Sequence, residues 1–354
     1  MLRFELSGHV LVTGSPGDAK DANWGRSMAS TPNLRAAVAA LIADYRAGEI
    51  PTLDSVHVDR WVSQFPSAVR EPILLELLHV FGRTYFTRAN VQTFIDSIVL
   101  NANFVGPNPG QFWQGVKVLN LQTAGNSQRD MIALLAESLQ RQCGLALTSC
   151  GVTPHTYLYL DDVLFSGGRI RSDLVNWVTG IAPAKAKLAV LIIGSHTLGQ
   201  WYSGNKIVEA AKAAGKTIDL SWWRAVAFED RKSEINNSDV LRPVAVPADP
   251  ATQAYVASLG GAPLIRAVGG KSPLGIFSGE AGRHLLEQEF LAAGVRVRGV
   301  CPYFDKYMRP LGRMMFESLG FGSTIVTYRN CPNNAPLVFW ADHPWYPLFP
   351  RKPN

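Results

Sequence analysis

Cysteine is scarce: Cys143, Cys150, Cys301 and Cys331 are scattered through 354 residues with no CxxC pair. That spacing excludes a clustered zinc site and a disulfide-stapled scaffold. Long apolar runs are missing as well. The most apolar stretch, 188–193, is far too short to cross a bilayer, and the opening MLRFELSGHVLVTG has no basic segment leading into an apolar one. No run of lysine or arginine marks a nucleic-acid arm, and no internal repeat marks a solenoid. The expectation is a cytoplasmic chain with no membrane partner.

What is present is enough apolar material for a sizeable core, 47% of residues against 18% charged. The length suits two domains, or one core with large additions. The balance of 34 Lys+Arg against 28 Asp+Glu leaves +6, a mildly basic surface that admits a phosphate-bearing ligand.

Four stretches follow one another. Residues 1–32 are rich in Gly, Ser, Asp and Asn and read as a lead-in segment. Within them TGSPGDAKD fails as a nucleotide phosphate loop, because Ala19 stands where the second glycine belongs and Asp21 replaces the hydroxyl. Residues 33–105 repeat apolar positions at helical spacing in LRAAVAALIADYRAG, VDRWVSQF, EPILLELLHVF and NVQTFIDSIVL, punctuated by Pro51, Pro66 and Pro72. Over residues 106–235 the runs VKVLNL, LALTS, TYLYL, LAVLII and SWWRAVAFE read as strands between helical segments. That alternation predicts an α/β core with a parallel sheet covered on both faces. Residues 236–354 are less regular, with a helix over AGRHLLEQEFLAAG and a strand over STIVTY. The proline-rich, aromatic end WADHPWYPLFPRKPN reads as an extended strap packed on the body.

The segment TYLYLDDVLFSGGRIRSDL carries the chemistry. Asp161 and Asp162 close a hydrophobic strand, and the carboxyl ends of strands are where open parallel sheets bind ligands. Ser166, Gly167 and Gly168 then lead into a helix, whose first N–H groups and dipole favour an anion. Two carboxylates beside an anion cradle suit a sugar phosphate, with Mg2+ on the carboxylates. The plainer alternative is an Asp pair capping the helix, with the glycines making the turn. Earlier in the chain, LNLQTAGNSQRDM repeats the strand–loop–helix form. There Thr123, Ala124, Gly125, Asn126 and Ser127 are either a second anion loop with Arg129 nearby or an ordinary turn capped by Ser127.

LYLDDVLFSGGR resembles the phosphoribosyl-pyrophosphate motif of type I phosphoribosyltransferases, with Phe165 and Arg169 standing where that family usually has threonines. The resemblance implies a type I phosphoribosyltransferase-like parallel sheet flanked by helices, with an N-terminal helical region and an irregular C-terminal α+β extension. It implies that Asp161 and Asp162 hold the ribose hydroxyls and Mg2+, that Phe165 to Arg169 wrap the 5′-phosphate with Ser166, Gly167, Gly168 and Arg169 as contacts, and that Thr123 to Ser127 receive pyrophosphate. It also places the chain in the glycosyltransferase class. Outside the core, RWVSQF, LHVFGRTYF, GRHLLEQEF, GFGSTIVTYRNCPNNAPLVFW and WYPLFPR resemble a phosphoribosyltransferase-like group of bacterial conflict systems, some of which accompany retron reverse transcriptases in antiphage defence. That implies a toxic effector with a reverse transcriptase and its RNA–DNA product as partners. The alternative is a catalytically inactive nucleotide-binding sensor or docking subunit.

Three other constellations stand out. Ser195 and His196 invite a hydrolase reading, but no GxSxG elbow surrounds the serine and neighbours on a strand face opposite ways. Trp222, Trp223 and Arg224 are either core residues or a stacking platform. In YRNCPNN, Arg329 is a candidate ligand contact among amides that also build turns, while Cys331 lacks an identifiable base.

Overall fold

The computed structural model describes residues 33–122, 126–316 and 318–351, together with the backbone of 5–6 and 10–11. The segment 13–21 and the loop residues Thr123, Ala124 and Gly125 lie outside the described residues.

The N-terminal helical periodicity is realised as α1 (Leu34–Leu41), α2 (Ser55–Val62), α3 (Ser67–Thr84) and α4 (Arg88–Val99). Their starts are set by local chemistry. Asn33, Asp54 and Thr87 accept N–H groups of the first turns of α1, α2 and α4, and at α4 Asn90 returns the bond as a capping box. The α/β core follows: β1 (Val116–Leu119), α5 (Ser127–Cys143), β2 (Thr156–Leu164), α6 (Gly168–Thr179), β3 (Lys185–His196), α7 (Thr197–Ala213) and β4 (Thr217–Phe228). The four strands lie parallel in the order β1-β2-β3-β4. A long helix, α8 (Glu280–Val300), dominates the C-terminal part.

Strand alternation sorts the sheet's two faces. Leu158, Leu160, Ala189 and Leu191 face the larger core, which they share with α5, the N-terminal helices and α8. Tyr159, Leu188, Val190 and Ile192 face a smaller core formed with Ile170, Leu174 and Trp177 of α6 and Ile207 of α7. Thus the helix after β1 and the helix after β2 pack on opposite faces. Where successive connections leave a sheet on opposite sides, a crevice opens between the carboxyl ends of the two strands, here β1 and β2.

Two expected strands fall short. LALTS becomes a single 3-10 turn, Leu147–Ser149, because Leu145 and Leu147 reach only half-burial while the chain runs beside β1, where the Gly151 N–H bonds the Gln114 carbonyl at 2.8 Å. Of STIVTY only Val326–Thr327 forms a strand, and it pairs in parallel with Tyr85–Phe86 rather than joining the main sheet. The terminal strap forms as expected. Leu348 and Phe349 are fully buried, the Tyr346 hydroxyl meets His57 Nδ1 at 2.8 Å, and the Pro350 carbonyl accepts from Tyr45 and Arg46. Around Trp61 of α2, Phe65 from the α2–α3 turn, Phe81 of α3, Phe290 of α8, Phe339 just before the strap and Phe349 within it meet at edge and tilted angles. The helical region and the extension therefore share one core, each buried ring contributing roughly 2–3 kcal/mol.

Candidate functional site

A cavity of about 890 Å³ lies beyond the carboxyl ends of the strands. On the sheet side it is lined by Ser127, Asp161, Asp162 and the 165–171 loop and helix start. On the other side the C-terminal extension supplies Arg313, Phe316, Phe321, Asn330, Asn333, Asn334 and Arg351. Four predicted residues of the DD segment, Ser166, Gly167, Gly168 and Arg169, line the cavity with Asp161 and Asp162, and Ser127 joins them from the first loop. Asn126 is exposed at the start of α5, where its side chain accepts from Arg129.

Asp161 is 4% exposed. One of its oxygens accepts from Gln122 Nε2 at 2.8 Å and the other from the Asp162 N–H at 2.9 Å. Burial, and next the Asp162 charge beside it, push its carboxyl up to about 7. In the unfolded chain the same group titrates near 3.8, so between these values the folded protein holds the extra proton and loses stability as pH rises. Asp161→Asn, neutral throughout, is expected to flatten that decline. Urea melts at about pH 5 and about pH 7.5 check it, the native protein losing more stability across the interval than the variant. An equal loss in both would contradict the assignment.

Asp162 turns outward. Its Oδ1 accepts from the Val163 N–H at 2.7 Å, and its Oδ2 receives Arg329 Nη1 at 3.3 Å. Arg329 Nε also donates to Asp130 in the first turn of α5, at 2.6 Å. Arg329, expected at the ligand, therefore sits behind Asp162 rather than in the cavity wall, while its neighbours Asn330, Asn333 and Asn334 do line the cavity.

The two glycines differ in purpose. Gly167 has φ +72, and a Cβ there would lie 1.9 Å from Ser203 Oγ and 2.8 Å from the Gly199 carbonyl, so close packing of α7 dictates it. Gly168 meets only Ser166 Oγ at 3.7 Å, leaving bare backbone on the cavity side at the first residue of α6. No side chain caps α6, so its N-terminal field is not satisfied by the chain's own carboxylates. That disfavours the plain helix-cap reading of the Asp pair. Phe165 turns its ring towards His196 (5.5 Å) and Phe321 (6.3 Å), anchoring the loop where a threonine would only have donated a hydroxyl.

Sequence reasoning missed the scaffold of the site. Gln122 Oε1 accepts from Ser127 Oγ at 3.2 Å while its amide donates to Asp161 and, at 3.1 Å, to the Tyr159 hydroxyl. Tyr159 in turn donates to Asp173 at 2.7 Å. Fully buried Gln128 accepts from the Leu121 and Gln122 N–H groups and donates to the Leu160 carbonyl, joining the first loop to β2. Nothing in the residue types announces such amide bridges. Asp230 was findable: it follows the carboxyl end of β4, as Asp161 lies close to the carboxyl end of β2. It accepts from the Leu198 N–H at 2.8 Å, and burial pushes it up to about 6.

Of the other constellations, Ser195, His196, Trp223 and Cys331 are buried, while Trp222 and Arg224 are half-buried. Ser195 Oγ donates to Gln200 at 2.7 Å and makes no pair with His196, whose Nε2 meets Ser323 Oγ at 3.2 Å. Burial, with Arg242 nearby, drives His196 down to about 3, leaving it neutral. Trp223 packs on Phe104 with centroids 4.6 Å apart, and Trp222, Trp223 and Arg224 do not line the cavity. Burial raises the Cys331 thiol far above its ordinary range, the opposite of what a nucleophile needs.

Among the described residues there is no group of three or more His, Cys, Asp or Glu that could hold a metal ion. Asp161 is engaged by Gln122 and backbone, and the charged face of Asp162 by Arg329. No helix among them is long and apolar enough to cross a membrane.

In comparisons with known proteins, residues 58–351 match the family model PRTase-CE. No curated protein and no solved structure gives a match.

Proposed function

The chain belongs to the PRTase-CE family, a phosphoribosyltransferase-like family, and from that premise we propose that its cavity binds a ribose 5-phosphate carrying a leaving group at C1′. One observation carries the reading: a carboxylate pair and an uncapped helix N-terminus face the same cavity from one strand–loop–helix unit. The 5′-phosphate takes the 166–169 backbone, with Arg169 as a cationic partner. The ribose hydroxyls donate to Asp161 and Asp162. As a transferase, the protein breaks the bond from C1′ to the leaving oxygen while an acceptor bonds C1′, through an oxocarbenium-like state that oriented hydroxyls help to position. Phosphoribosyl pyrophosphate is the donor that fits, and any Mg2+ arrives on its phosphates. The Arg and Asn wall from the extension faces the acceptor.

Its setting, by the resemblance of the flanking segments, is that of a toxic effector in a retron-type antiphage defence system, beside a reverse transcriptase and its RNA–DNA product. Incubation of the purified protein with phosphoribosyl pyrophosphate, Mg2+ and cell extract is expected to release pyrophosphate, with mass spectrometry identifying the ribosyl-phosphate adduct. Binding without release would leave a nucleotide-binding sensor, a reading favoured by the internal guanidinium on Asp162. Absence of both would remove the proposal.

A further inference from the structure

The carboxylate pair comes with a cation of its own. We propose that Arg329 is the counter-charge of the ribose site, a positioning residue that occupies the place on Asp162 a divalent cation would otherwise fill, so that a ribose phosphate binds without protein-held metal. The inference rests on the ribose-phosphate reading of the cavity.

The guanidinium is built in rather than loosely placed. Its side chain is 9% exposed, and it joins Asp130 (2.6 Å) to Asp162 (3.3 Å), linking α5 to the end of β2. The backbone that delivers it is fixed on both sides. Val326 and Thr327 pair with Tyr85 and Phe86, the Tyr328 N–H bonds the Phe86 carbonyl at 2.8 Å, and the Tyr328 carbonyl accepts from the Arg46 N–H at 2.6 Å. On the far side the Cys331 N–H bonds the Tyr45 hydroxyl at 3.1 Å. The ordering entropy that makes exposed ion pairs nearly worthless has thus been met by folding.

Both Asp161 oxygens and Asp162 Oδ1 take neutral N–H donors, whereas Asp162 Oδ2 takes the Arg329 guanidinium, so the pair's counter-charge stands there. Each oxygen keeps a second lone pair for a ligand hydroxyl. A guanidinium is permanently charged and weakly hydrated, whereas Mg2+ demands octahedral ligands and keeps its waters. Arg329 leaves the cavity face of Asp162 open to a hydroxyl donor, so it acts through Asp162 and not on the ligand. The ligand class that follows is a ribose phosphate whose sugar is recognised without a metal bridge to the protein.

Calorimetry with ribose 5-phosphate, in EDTA and in excess Mg2+, tests this. Native protein is expected to bind equally in both, within about twofold, while Arg329→Gln loses about tenfold in EDTA and regains it with Mg2+. Arg329→Lys, which keeps the charge, stays near native in EDTA. Native protein that binds only with Mg2+, or Arg329→Gln that matches native in EDTA, overturns the proposal. If Arg329→Gln does not fold, Mn2+ titration of native protein by electron paramagnetic resonance decides: no bound ion supports the proposal, and a stoichiometric ion lost in Asp162→Asn overturns it. Native protein that gives no heat with or without metal overturns the ribose-phosphate reading itself, an outcome distinct from metal-dependent binding.

Discussion

In the double variant Asp161→Asn, Asp162→Asn, affinity for ribose phosphates falls by roughly a hundredfold or more while the fold survives. In the proposed complex each carboxylate would accept a charge-assisted hydrogen bond from a ribose hydroxyl, worth about 1.5–3 kcal/mol, and an amide oxygen in its place would offer a neutral bond of about half that strength or turn its donor face to the ligand. The fold survives because most of the internal partners are retained. An asparagine at 161 keeps its carbonyl for one of the two donors, Gln122 or the backbone N–H of residue 162, and the acceptor lost is offset by removing a costly buried charge. Arg329 keeps Asp130 at 2.6 Å. Calorimetry paired with thermal melting separates the two effects. A variant that binds within about threefold of native would remove the pair from ligand recognition. If the protein is a toxic effector, the same variant also loses toxicity on expression.

A second large effect is expected far from the cavity floor. Glu287 on α8 is completely buried between two guanidinium groups, Arg266 at 2.8 Å and Arg283 at 2.9 Å, and also accepts the Arg242 N–H at 2.9 Å. Arg283 continues to the Val240 carbonyl at 2.7 Å and lies over the Phe277 ring, while Arg266 reaches Glu280. This cluster ties the irregular 238–280 stretch to α8. Glu287→Gln leaves the buried Arg283 cation facing a neutral amide and Arg266 with Glu280 alone, so it is expected to cost about 3–5 kcal/mol, far more than the pair would be worth on a surface. A urea titration reads the loss, and a change below about 1 kcal/mol would mean that water reaches the cluster.

The sheet was legible because buried parallel strands are written as short apolar runs between helical periods, and β2, β3 and β4 announce themselves in TYLYL, LAVLII and SWWRAVAF. LALTS carried the same signal with too little burial to act on it. The carboxylate pair and the glycine loop were legible for a different reason: they sit in one unit only a few residues long, so local order fixes their relation. Arg329 illustrates what stays hidden. Its type suggested a ligand contact, but its position behind Asp162 depends on pairing between residues 85–86 and 326–327, which no local pattern encodes. Likewise Arg351 and Arg313 reach the cavity through the strap and extension, whose course is set by aromatic packing on the N-terminal helices.

The central claim is that one ribose phosphate spans the carboxylate pair and the start of α6. A crystal structure with ribose 5-phosphate bound tests it most directly. The expected result places the phosphate within hydrogen-bond reach of the 167–169 N–H groups, with sugar hydroxyls on Asp161 and Asp162. A phosphate seated instead against Arg313 and Arg351, with the sugar away from both aspartates, would contradict it.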